Sequence, residues 1–145
     1  MTAIESEPIA SPRDTLGIVL RVAVVGLTLA TAYIHYTLGG MMFMANALGY
    51  VLFAALMVVP IAFVSRYRWV IRAGLLGFTV VTILGWVVMG GRMPLAYMTK
   101  AIELGLVAAL VIEMWRYDGG PINVLRRLIQ LAVTIVRMPF GRSKA

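Results

Sequence analysis

Four long apolar stretches, residues 16–38, 40–64, 71–89 and 94–115, occupy most of this chain, and its charges fall mainly in the gaps between them. Each approaches or exceeds the ~20 residues that a helix needs to cross a hydrocarbon core of ~30 Å. In that core every backbone N–H and C=O must be satisfied within the protein, which leaves only helices and closed barrels. A barrel strand alternates apolar and polar residues over about ten positions. The run Val51-Leu52-Phe53-Ala54-Ala55-Leu56-Met57-Val58-Val59 is apolar on every side instead, so the spans are read as helices. With a mean hydropathy of +0.93 and 61% hydrophobic residues, the expected fold is all-α. It is an integral membrane bundle of four transmembrane helices over residues 16–116, with a C-terminal amphipathic interfacial helix after it.

The net charge of +7 would point to nucleic acid in a soluble protein, but its placement points to topology. Arg13 and Arg21 lie before or in the first span, and Arg66, Arg68 and Arg72 surround the second connection. Arg116, Arg126, Arg127, Arg137, Arg142 and Lys144 follow the fourth, while the first and third connections hold only Arg92. The positive-inside rule then puts both termini and the middle connection in the cytoplasm. The expected partners are the lipid bilayer and its anionic headgroups, with no nucleic acid. Val22 to Leu29 followed by Ala30-Thr31-Ala32 has the outline of a cleavable signal, but the leading segment carries Glu5, Glu7 and Asp14 where a signal is compact and basic. The first span is therefore expected to stay.

Residues 1–15, polar and bearing Pro8 and Pro12, are expected to form a disordered cytoplasmic tail. Gly39-Gly40 and Gly90-Gly91-Arg92-Met93 leave room only for tight turns, and Pro94 suits the first position of a helix. Pro60 is expected to kink the second span. Trp69, Trp115, Tyr67 and Tyr117 mark an inner aromatic belt, and Trp86, Tyr33, Tyr36 and Tyr97 an outer one. Residues 117–145 form a separate basic region. Within residues 122–138, Ile122, Leu125, Ile129, Ala132, Val133 and Val136 make an apolar stripe opposite Asn123, Arg126, Arg127, Gln130, Thr134 and Arg137. Such a helix is expected to lie along the cytoplasmic headgroups, since an arginine at the bilayer centre costs about 2.5 to 3.5 kcal/mol.

Ala101, Gly105 and Ala109, Gly26 with Ala30, and Ala45 with Gly49 are spaced for close helix packing, within the bundle or in a homo-oligomer. Lys100 and Glu103 carry more information. At ~1.5 Å per residue from Pro94, Glu103 lies roughly 13 Å into the core and Lys100 about 9 Å, on one helix face. Ionised groups at that depth are expected to face the bundle or a cavity. Asn46 reaches a similar depth, His35 lies slightly shallower, and Arg92, Tyr36 and Tyr97 stand at the same surface. His35, Tyr36, Asn46, Arg92, Tyr97, Lys100 and Glu103 together form the candidate ligand-binding cluster of the outer leaflet. Arg21 and Glu113 read as register elements at the opposite end.

The chain has no cysteine, which excludes disulfides, thiolate metal sites and covalent c-type haem. Ten methionines could supply an axial ligand, but a single histidine without a matched partner weighs against b-type haem. No nucleophile–base pair, carboxylate dyad, phosphate loop or metal-ligand cluster is evident, so no catalytic residue, metal or cofactor is assigned and an enzyme is disfavoured.

Residues 34–50, IHYTLGGMMFMANALGY, and 94–103, PLAYMTKAIE, resemble a group of small four-helix bacterial integral membrane proteins, over most of residues 20–115. The resemblance implies a bacterial inner-membrane location and no particular activity. Minimal loops suggest a non-enzymatic accessory or structural subunit of a larger membrane assembly. The polar cluster suggests the alternative, a small-molecule, lipid or quinone, or ion-binding or transport protein.

Overall fold

A computed structural model describes residues 14–137, all α-helical between short connections. The expected disordered tail before Asp14 and the end of the basic region after Arg137 lie outside the described residues. Helix α1 spans Thr15–Leu38, α2 Met41–Val58, α3 Ala62–Arg66, α4 Arg68–Met89, α5 Pro94–Tyr117 and α6 Pro121–Arg137. Four of them, α1, α2, α4 and α5, are long and apolar enough to cross a membrane.

Local chemistry sets the boundaries. The Asp14 carboxylate accepts the Gly17 N–H at 3.0 Å and caps α1. Gly39 and Gly40 turn the chain at φ 68° and 83°, a region that side chains with a Cβ rarely enter. Pro94 opens α5.

The second span is shorter than the sequence suggests. Instead of a kinked helix to residue 64, α2 stops at Val58, and α3 follows as a separate five-residue turn. Pro60 has no N–H to donate and disfavours helical geometry at Val59 before it, so the helix ends rather than bends. The fourth long helix instead runs two residues past the expected Trp115, to Tyr117.

The long helices alternate in direction and close into a ring, α1 beside α2 and α5, and α4 beside α5 and α2. Val24, Ala32, Tyr50, Met57, Leu75, Leu106, Ala109 and Leu110 fill the centre. The hairpin turns lie at one end, here the loop end. Asp14, α3 and α6 lie at the other, the terminal end.

The α2–α4 contact depends on two glycines. A Cβ on Gly49 would come within 2.6 Å of the Phe78 ring, and one on Gly74 within 3.0 Å of Phe53. Those rings pack 5.7 Å apart between the helices. Gly26 behaves differently: it is exposed, and a Cβ there would meet no atom within 4 Å. Buried Thr28 and Thr79 return their hydroxyl protons to the carbonyls of Val24 and Leu75, at 2.6 and 2.8 Å, and so sit in the apolar centre without unpaired donors.

The expected stripe on α6 is present and exposed. Ile122, Leu125, Ile129 and Val136 face away from the bundle, and only Val124 of this helix is fully buried against it.

Candidate functional site

Glu103, with no exposed surface, is the centre of a polar cluster at the loop end, and it draws on all four long helices. Lys100, one turn earlier on α5, places Nζ 2.5 Å from Glu103 Oε2. Tyr50 enters from α2. Its hydroxyl lies 3.4 Å from Glu103 Oε1 and 2.8 Å from Thr82 Oγ1 of α4. His35 enters from α1, with Nε2 3.8 Å from Glu103 Oε1 and Nδ1 2.9 Å from the Thr31 carbonyl. Aromatic edges enclose the group: Tyr50 meets Phe78 edge-on at 4.9 Å, and His35 lies 5.6 Å from Tyr50 and 6.1 Å from Phe43.

The histidine geometry fixes its tautomer. A carbonyl oxygen only accepts, so Nδ1 carries the proton that it donates to Thr31. In the neutral ring, Nε2 is then an acceptor and faces a carboxylate oxygen, also an acceptor. Thr82 donates to the Thr79 carbonyl at 2.8 Å, which leaves its oxygen free to accept from Tyr50. Tyr50 has one proton for two acceptors, and the 2.8 Å contact is the better one.

Of the seven residues that the sequence singled out, the structure brings together three: His35, Lys100 and Glu103. Asn46 is half-buried and makes no hydrogen bond to them. Tyr36, at 60% exposure, points away from the bundle. Arg92 and Tyr97 instead form a surface stack with Trp86: the guanidinium sits 4.5 Å over the indole, and the Tyr97 ring meets its edge at 5.2 Å. Arg92 also donates to the Val87 carbonyl at 3.1 Å. Tyr50 and Thr82 were missed. Tyr50 stands one helical turn after Asn46, so the spacing offered a signal, but a tyrosine within an apolar run gives no sign of facing inward.

A second set of ionisable groups occupies the terminal end. Arg72 and Asp118 form a buried bidentate pair. Arg21 Nε approaches Glu113 Oε1 to 3.8 Å, too far for a hydrogen bond, and both Glu113 oxygens are buried without a donor among the described residues. Asp14 accepts from the Tyr117 hydroxyl at 2.7 Å, from the Gly17 N–H and from Arg116 at 2.5 Å. These bonds lower its pKa to about 2.

His35 and Glu103 supply two adjacent ligand atoms, but among the described residues no group of three His, Cys, Asp or Glu stands together to hold a metal ion. No family model, curated protein or solved structure matches the chain.

Proposed function

We propose that this is a non-enzymatic ion-binding membrane protein whose site is the Glu103 cluster and whose bound ion is a proton. One observation carries the reading: His35 Nε2 and Glu103 Oε1 face each other at 3.8 Å with Nδ1 already committed to Thr31. With His35 neutral, these are two acceptors in a low-dielectric interior, and such an arrangement is costly unless a proton is held between them. Lys100 offsets the Glu103 charge, so the extra proton is not needed for the carboxylate alone. With its proton given to Thr82, the Tyr50 hydroxyl oxygen, 3.4 Å from Glu103 Oε1, faces the carboxylate as one more acceptor.

A bacterial inner-membrane location, with the terminal end in the cytoplasm and the cluster in the outer half of the bilayer, belongs to the same reading. Proton counting on a pH jump tests it. Uptake by the detergent-solubilised protein should be non-additive across wild type, His35→Gln, Glu103→Gln and the double variant, because the two groups share one proton. Additive losses would reject the proposal.

A second reading, the accessory subunit of a larger membrane assembly, is favoured by the exposed apolar stripe of α6, which the bundle leaves uncovered. Mild-detergent purification tests it, with a stoichiometric membrane-protein partner as the expected result.

A further inference from the structure

At the terminal end, a groove of about 650 Å³ runs down the outside of α1, past Ile18, Arg21, Val22, Val25 and Gly26, with Val58 of α2 forming part of its wall. We infer that this groove is a phospholipid site. The Arg21 guanidinium takes the headgroup phosphate, and one acyl chain lies over Val22, Val25 and Gly26.

Three observations support this occupant. The first is shape. From Gly17 to Gly26 the groove follows α1 for ~14 Å, about the depth of one leaflet of a ~30 Å core. Its walls below Arg21 are aliphatic. Gly26 opens onto it with no atom within 4 Å of a would-be Cβ, so this small residue leaves space outside the bundle rather than admitting a neighbouring helix.

The second is the state of Arg21. Its Nε is buried and has no hydrogen-bond partner among the described residues, and its contact with Glu113 is an ion pair at 3.8 Å. Nε is turned toward Glu113, but the side chain is 34% exposed and its Nη groups make no hydrogen bond among the described residues, so they are the donors that a phosphate would meet.

The third is charge. Arg72 is paired with Asp118 and Arg116 with Asp14, while Arg21 and Arg68 both act on the single carboxylate of Glu113. These four arginines exceed the three carboxylates by one, and Arg21 is the one that lines the apolar groove, which suits an anionic amphiphile better than a neutral one. Asp14 also lines the groove mouth, but its charge is already taken up by Arg116, Tyr117 and the Gly17 N–H.

The test is native mass spectrometry of the detergent-solubilised protein, titrated with phosphatidylglycerol. The wild type should hold one lipid through activation energies that strip the rest, and inorganic phosphate should not displace it. Arg21→Gln should weaken that adduct about ten-fold, the worth of one charge-assisted contact, and Arg21→Lys should fall between. Gly26→Leu sets its Cβ where no atom lies within 4 Å, projects into the groove and favours the helix, so it should melt no lower than wild type in lipid-free detergent yet lose the adduct. Undiminished lipid retention in Gly26→Leu would overturn the proposal. So would a dimer of the wild type that Gly26→Leu dissociates, because the groove would then hold a second copy of the chain.

Discussion

Arg72 of α4 and Asp118 at the α5–α6 corner join through two parallel hydrogen bonds, Nε to Oδ2 at 2.8 Å and Nη2 to Oδ1 at 2.6 Å. Both side chains are buried, at 5% and 4% exposure. Removing one partner strands the other as a buried group without compensation, which costs about 3 to 5 kcal/mol. Asp118→Asn and Arg72→Met should each lower the unfolding free energy in detergent by that order. The double variant should lose less than the sum. Simple additivity would mean that the two residues do not stabilise each other.

The α2–α4 seam makes a steric prediction. Gly49→Ala places a methyl group 2.6 Å from the Phe78 ring and should cost about 1 to 3 kcal/mol, the usual range for overpacking. Phe78→Leu should recover part of that loss. Gly77→Ala, on the same α4 helix but with nothing within 4 Å, should leave stability unchanged or raise it slightly. Thermal melts of Gly49→Ala, Gly49→Ala with Phe78→Leu, and Gly77→Ala in one detergent check this.

Asp14 links the start of α1 to pH. Hydrogen bonds from Tyr117, the Gly17 N–H and Arg116 lower its pKa from 3.8 to about 2. A depressed carboxylate pKa stabilises the folded state above the unfolded value, and that stability disappears as the group is protonated. The contribution should therefore be complete above pH 4 and fade toward pH 2. Hydrogen exchange of the first turn of α1 should rise over that interval, and Asp14→Asn should show the faster exchange at neutral pH with no further rise.

How much of this was legible in the sequence depended on the kind of signal. Depth along the membrane normal is expected from counting residues, and Lys100, Glu103 and His35, which the counting put in one region, meet at the loop end. Rotation about each helix axis was not legible. In a soluble helix a polar face marks the outside, but lipid is as apolar as the bundle centre, so α2 and α5 show almost no contrast between faces. Tyr36, Arg92 and Tyr97 therefore shared an end of the bundle with the cluster yet stand outside it. Tyr50, with no exposed surface, looked like one more residue of an apolar run. Asp118 drew no attention in the sequence because its partner Arg72 lies forty-six positions away, and no local pattern records such a pairing.

The absence of cysteine makes orientation accessible to labelling. Single cysteines at Gly40 and Arg92, both exposed at the loop end, should react with an impermeant thiol reagent applied outside whole cells. A cysteine at Arg66, exposed at the terminal end, should react only after permeabilisation. The reverse pattern would invert the orientation inferred from the arginines and lysines.

His35 is the chain's one histidine, so the nitrogen NMR spectrum of protein labelled at histidine reports a single ring without assignment. The Glu103 account predicts that Nδ1 stays protonated throughout, held by the Thr31 carbonyl at 2.9 Å. Nε2 should carry the proton shared with Glu103, 3.8 Å away, and Glu103→Gln should move its resonance. A neutral ring protonated at Nε2 alone, or an Nε2 resonance that is the same with and without the Glu103 carboxylate, would contradict it.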